Sequence, residues 1–381
     1  MKNIILFSIC ILCCFSCTKS RVKLANIQTI EVPITRNDKP ATFDSLFEID
    51  KYIVLETTSE SIIRKIGKVS FYKDNIYILD KEEKTILVFS NRGDFLMKYN
   101  HLGQGPGEYI ELTDFSIKRD SIYMLDGIRG ELLVYNLKDS LLSADKVMKA
   151  KGIEILNDGK YALNMELGHA DKQNDMGGYY SYSCLKNNRL LHRAIPYNKE
   201  LCGLSFSQAE GGDAFYHYLD STFTLFPYND TIYYVNKHDG GLFPYRRVKV
   251  GDEKIEMNTD KATIKELRKK GIVSSVFSFY KMRGKIMFSY YYNNENRKYT
   301  IADEGGNILF NGAFGLDMNK LPVRMLAFDS DEKDERILSL VHSFELIGLA
   351  KHYTDKSLLL NQIVANISAE DNSVLIFYKL K

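Results

Sequence analysis

The chain has no tryptophan, only 7 prolines among 381 residues, and no surplus of either charge, with 51 Lys and Arg against 49 Asp and Glu. A balanced charge gives no long-range field toward nucleic acid or an anionic membrane surface, so neither is expected as a partner. The low proline count excludes collagen-like and proline-rich linker architectures. Local signatures of chemistry are missing too: no G-x-S-x-G elbow, no G-K-[ST] phosphate loop and no H-E-x-x-H. The seven histidines, at 101, 169, 192, 217, 238, 342 and 352, are scattered without zinc-ligand spacing. The acidic run "DSDEKDE" from Asp329 lacks the glycine and terminal glutamate of an EF-hand and reads as the solvated start of a helix. Catalytic residues and metal ligands are therefore assigned to none, and no cofactor is expected. Distant residues can still converge in a folded chain. What is present is a globular balance of 45% hydrophobic and 26% charged residues, with 25 Tyr and 21 Phe that suit a sheet-rich protein.

The N-terminus carries an address. Lys2 precedes an apolar core from Ile4 to Phe15, and Ser16 stands directly before Cys17. This stretch is too short to span a bilayer and has the layout of an export signal. It resembles a bacterial lipoprotein signal, in which the cysteine after the small residue is lipidated and becomes the new N-terminus. Cys14 occupies the position three before Cys17 where leucine is usual, a departure from that pattern. The expected division is residues 1–16 as signal, 17–40 as tether and first strand, and 41–381 as the folded domain. Of the remaining cysteines, Cys184 and Cys202 are either a disulfide pair, which an exported location would permit, or two unrelated thiols.

A repeat is visible beyond the tether. The segments "DNIYILDKEEKTILVFSNRGDFL" from Asp74 and "DSIYMLDGIRGELLVYNLKDSLL" from Asp120 align without a gap at an offset of 46 residues. Each reads strand, polar turn, strand, polar turn, strand start. Weaker copies begin at Glu154, Thr224 and Arg283, and "DNSVLIFYKLK" from Asp371 closes the chain with one more strand. About six units over roughly 340 residues fit four-stranded propeller blades with insertions. Two insertions read as helices. "TDKATIKELRKKG" offers a cap at Thr259 or Asp260 and a stop at Gly271, while "DEKDERILSLVHSFELIGLAKHY" places Ile337, Leu340, Val341, Phe344 and Ile347 on one helical face.

The most unusual run is "HLGQGPGEY". Its glycines, Gly103, Gly105 and Gly107, with Gln104, Pro106, Glu108 and Tyr109, make G-x-G-x-G ahead of a strand, which is neither a dinucleotide fingerprint nor a P-loop. Positive-φ glycines and a proline instead suit a tight crossing from the outer strand of one blade to the inner strand of the next. This run, with "YIVLET" at Tyr52, "IGKV" at Ile66, "NDTIYYV" at Asn229 and the closing strand, resembles the six-bladed beta-propeller lipoproteins of Bacteroides and its relatives, themselves similar to NHL-repeat propellers. The resemblance covers roughly residues 45 to 381. It implies an all-β six-bladed propeller of four-stranded antiparallel blades with short helical insertions, and an envelope location. It brings no established catalytic set.

The one aromatic and polar cluster suited to a ligand is "YYYNNENRKY", where Tyr290, Tyr291, Tyr292, Asn293 and Arg297 combine flat rings with fixed donors. It reads equally as a strand, turn, strand hairpin. The resulting expectation is a monomeric module anchored to the outer membrane through lipid, facing the periplasm, that holds an envelope protein or a glycan. The alternative is an NHL-like lyase or lactonase with a divalent metal in its channel. Cys17→Ala is expected to move the protein from the membrane to the soluble fraction of native envelopes, read by fractionation and blotting; a variant still in the membrane pellet would show that no lipid sits there.

Overall fold

The computed structural model describes residues 27–33, 43–167, 178–202, 213–251, 257–269, 276–291, 297–323, 325–331 and 334–381. Their strands form six sheets, five of four strands and one of five, arranged as the blades of a propeller. The innermost strands of blades 1 to 6 are Ile66–Tyr72, Leu112–Lys118, Gly152–Ile155, Phe215–Tyr218, Val276–Met282 and Met325–Asp331. These six line a central channel and approach one another across it.

The ring closes by mixing the two ends of the chain. Blade 6 takes its outermost strand, Phe47–Val54, from the N-terminal side and pairs it antiparallel with the C-terminal strand Val374–Leu380, from Phe47 opposite Leu380 to Val54 opposite Val374. Closure of this kind leaves no free sheet edge between first and last blades. A second N-terminal strand, Thr29–Val32, lies parallel along Leu242–Val250 and makes blade 4 five-stranded.

Each blade is covered on both faces by its neighbours, which explains the near-continuous apolar runs. In Asn75–Asp80 five consecutive residues are buried. Tyr77, Leu79, Ile86 and Val88 of blade 1 pack against Leu112, Phe115, Ile122 and Met124 of blade 2, and an equivalent cluster fills each successive blade interface. The 46-residue repeat is the offset between blades 1 and 2, where Ile78 opposite Leu87 becomes Met124 opposite Leu133.

The repeated aspartate that ends "IYILD" and "IYMLD" has a specific task. Asp80, fully buried, accepts from the backbone N–H of Arg64 (2.6 Å), Lys65 (3.2 Å), Glu82 (2.9 Å) and Glu83 (3.2 Å). Asp126 repeats this with Ile110 (2.8 Å), Glu111 (3.4 Å), Ile128 (3.1 Å) and Arg129 (2.8 Å). One carboxylate thus satisfies the turn inside its own blade and the loop entering it, groups that would be costly to bury unpaired. In blade 3 Asn164 takes the position, accepting from Glu166 N and donating to Thr224 Oγ1 and Leu225 O of blade 4.

The glycine-rich run joins Phe95–Tyr99 of blade 1 to Leu112–Lys118 of blade 2. It folds around its own glutamate: Gly105 N donates to Glu108 Oε2 at 2.7 Å, and a Cβ on Gly103 would lie 2.0 Å from the same oxygen. Gly107 has φ of 79° and its carbonyl accepts from the Tyr135 hydroxyl, while the buried Tyr109 donates its hydroxyl to Lys84 O at 2.7 Å.

One of the two expected helices differs. Lys261–Lys269 is helical, with Asp260 accepting from Thr263 N at 2.9 Å and Ile264 buried against Leu201 and Tyr228. In the other segment only Ser343–Ala350 is helix, and Asp334–Val341 is the second strand of blade 6. Ile337, Leu338 and Val341 are each 0% exposed because this strand is covered on both faces, and a doubly covered strand shows apolar residues at helical spacings as readily as a helix does. The acidic run at Asp329 accordingly belongs to a strand hairpin and not to a helix start. Phe344, on the true helix, is 61% exposed.

Asp126→Ala is expected to cost roughly 2–4 kcal/mol, since it strands several buried N–H groups at once. Urea unfolding checks this, with an exposed helical control such as Lys265→Ala expected to change stability by less than about 0.5 kcal/mol.

Candidate functional site

The channel opens into a cavity of about 820 Å³ on the side of the turns that follow the innermost strands. All six blades contribute to its wall through Lys68, Phe115, Glu154, His217, Tyr280 and Phe377, in blade order. The innermost strands of blades 1 to 5 border the axis with their edges, and blade 6 adds Arg336 and Phe377 from strands further out, so the wall gathers side chains that are far apart in sequence.

Three polar groupings define the chemistry. At the base, Lys68 Nζ meets Asp114 Oδ1 at 2.8 Å and the Phe115 carbonyl at 2.7 Å. Asp114 Oδ2 also accepts from Ile153 N at 2.8 Å, so this carboxylate ties blades 1, 2 and 3 together. Burial works to lower the Lys68 pKa, but Asp114 and then Asp213 outweigh it and hold the ammonium above its ordinary value.

Asp213 enters the wall just before the innermost strand of blade 4. Loss of hydration pushes its carboxyl up to about 7, with nearby Asp114 adding to the rise and Lys68 and His217 opposing it. Near neutral pH this acid is poised between its two forms.

The third grouping is a carboxylate and an imidazole. His217 Nε2 lies 3.0 Å from Glu154 Oε2, and Thr222 Oγ1 donates to Glu154 Oε1 at 3.3 Å. Burial works to raise the Glu154 pKa, yet His217, Lys68 and Lys237 together bring it below the usual carboxylate range. Lys118 extends alongside, donating to the Ile155 carbonyl at 2.7 Å, with its pKa lowered chiefly by burial. A buried carboxylate beside an imidazole, next to an acid that titrates near neutrality, has the elements of proton transfer; with the surrounding lysines it has those of anion binding.

The residues singled out from sequence fall elsewhere. The run from Gly103 to Tyr109 does not line the cavity. Tyr290 is 1% exposed with its hydroxyl donated to Asn311 Oδ1 at 2.8 Å, and Arg297 Nε donates to Ser289 Oγ at 2.8 Å while its guanidinium lies over the Tyr299 ring. Both are held inside blade 5 and neither lines the cavity, and the Arg297 charge acts on Tyr216 and Tyr280 of the wall from behind. Cys17, Tyr292 and Asn293 lie outside the described residues, as does the side chain of Tyr291. Cys184 and Cys202 do not form a disulfide. Cys184 is packed under Gly240 between blades 3 and 4, with burial pushing its thiol up to about 11, whereas Cys202 lies beside Tyr197 in a separate cluster under the helix Lys261–Lys269. Among the described residues no three His, Cys, Asp or Glu side chains gather as a metal would require. Glu154 carried no local signal because it meets His217 only through the packing of blade 3 on blade 4, and Asp213 with His217, four residues apart, match no catalytic motif.

With this geometry in hand, comparison places the chain among known proteins. The sequence model of a family described as a domain of unknown function, DUF4934, matches residues 27–379. The fold is similar to that of an exported protein of Bacteroides fragilis NCTC 9343, with a TM-score of 0.74 at 18% identity over 93% of this chain and 100% of that one. It is also similar to a DUF4221 member of Bacteroides vulgatus ATCC 8482, with a TM-score of 0.52 at 11% identity over 88% of this chain and 98% of that one. At these identities the likeness is one of fold. No curated protein matches the chain. Among the described residues no helix is long and apolar enough to cross a membrane.

A carboxyl whose folded pKa is raised contributes stability that is fully present below its unfolded pKa and is lost as pH rises through the folded value. For Asp213 that window runs from about 4 up to about 7. Asp213→Asn, which cannot ionise, is expected to gain roughly 2–3 kcal/mol of stability relative to wild type between pH 5 and pH 8, because about two-thirds of that window lies above pH 5. Urea denaturation at the two pH values decides; equal differences at both would mean that Asp213 does not change protonation between them.

Proposed function

From a chain that belongs to the DUF4934 family and is built as a six-bladed propeller, we propose an exported, lipid-anchored binding protein that holds a small polar ligand in its channel. The observation that carries this reading is the cavity of about 820 Å³, within the roughly 300–1,000 Å³ range of small-molecule sites. Its wall presents Lys51, Lys68, Ser70, Ser116, Lys118, Asp213 and His217, side chains that would be costly to gather around an empty apolar void and that suit a hydrophilic occupant.

Export and anchoring rest on the signal-like N-terminus and on Cys17, with support from the exported neighbour of the same fold. The outer membrane, periplasmic face, is the proposed location. A glycan fits the polar channel better than the earlier candidate at Tyr290 does, since that ring is committed to blade 5. The enzyme alternative has one observation in its favour, the Glu154 and His217 pair beside Asp213.

Tagged full-length protein purified from native envelopes is expected to release a stoichiometric small molecule on denaturation, identified by mass spectrometry. Ser116→Trp, which fills the cavity from its wall, should lose that molecule while keeping its circular dichroism spectrum. A protein partner recovered in its place, with no small molecule, would return the chain to a scaffold role. Conversion of the released molecule on incubation with fresh protein would establish the enzyme.

A further inference from the structure

The cavity has one wall with an unbalanced charge. Lys118 reaches it from the innermost strand of blade 2, and Lys237 from the turn Asn236 to Gly241 between the last two strands of blade 4. That turn is held against blade 3 by Asn157 N, which donates to the Lys237 carbonyl at 3.1 Å. The two ammonium groups are close enough to repel, since Lys237 contributes to lowering the Lys118 pKa. Neither forms an ion pair with a described residue. Lys118 makes its one side-chain hydrogen bond to a backbone carbonyl, although it is partly buried and its charge has lost part of its hydration.

The acid they share is Glu154, and its two oxygens are already occupied by His217 and Thr222. The other cations of the wall are differently placed. Lys68 is paired with Asp114, Lys73 with Asp120 and Arg336 with Asp50, and Lys51 on the blade 6 side lies over the Phe377 ring at 4.7 Å. Lys118, partly desolvated, and Lys237 therefore reach the cavity with no carboxylate paired to either, since Asp213, another acid of the wall, acts on Lys68 and His217. Charge-assisted hydrogen bonds to an anionic oxygen would satisfy both.

We infer that the channel ligand is an anion, a small hydrophilic molecule whose carboxylate or phosphate is received by Lys118 and Lys237 beside the Glu154 and His217 pair. This rests on the channel being the binding site and adds the charge and the end of the ligand that is recognised. A phosphate and a carboxylate present the same acceptor oxygens to lysine, so the class is defined by the anionic group and the body by the polar wall.

The test uses the full chain with three probes, inorganic phosphate, glucuronate and neutral glucose, each against sodium chloride at matched ionic strength. Phosphate or glucuronate is expected to raise the melting temperature and to titrate calorimetrically, and glucose is not. Lys118→Met and Lys237→Met should each weaken the anion about tenfold, the double variant should abolish the response, and Lys118→Arg and the surface control Lys265→Met should retain it. If neither anion acts on wild type, or if both act equally on wild type and the double variant, the inference is wrong. A small molecule that still co-purifies with the double variant but not with Ser116→Trp would leave the channel reading standing and remove only the anion. One that co-purifies with Ser116→Trp as well would remove the channel itself.

Discussion

Everything in this protein depends on the pairing of Phe47–Val54 with Val374–Leu380. A propeller is a row of sheets that bury their faces against one another, and a row has two ends where an apolar face and a strand edge would meet water. Completing blade 6 with a strand from the other end of the chain removes both exposures at once. The closing strand also supplies Lys51 and Ile53 to the cavity wall, and its partner supplies Phe377. The channel is thus a product of closure and not of any one blade.

Within the ring, polar groups set the angle and spacing that apolar packing alone would leave loose. Asp80 and Asp126 each tie the turn of one blade to the loop arriving from the blade before. Asn164 replaces the aspartate in blade 3 and turns part of its hydrogen bonding outward to blade 4. This drift tracks the fading of the repeat after its second copy. Asp114 performs a related task from the axis, where its pairing with Lys68 and its hydrogen bond from Ile153 join three blades around the channel.

The division between local and distant information explains which expectations held. Turn chemistry and strand alternation act over a few residues, so the blade repeat and the helix from Lys261 were visible in the letters alone. The segment from Asp334 to Val341 was misread because a strand covered on both faces loses the alternation that marks strands, and its apolar residues then satisfy a helical pattern as well. The tyrosines near Tyr290 looked available because sequence cannot show which rings are spent in packing; Tyr290 is spent on Asn311.

By itself the sequence determined the repeating strand pairs of the first two blades, the glycine-rich run ahead of the second blade's inner strand and the export-like leader, since each is written in contiguous residues whose conformational preferences are local. Only the tertiary structure decided the site. Lys68, Glu154, Asp213 and His217 come from three blades and stand up to 149 positions apart in the chain, and no short-range preference marks them as partners. They acquire shifted protonation and mutual hydrogen bonds because ring closure brings their strands to one axis and takes them partly out of water, and desolvation is a property of the assembled fold.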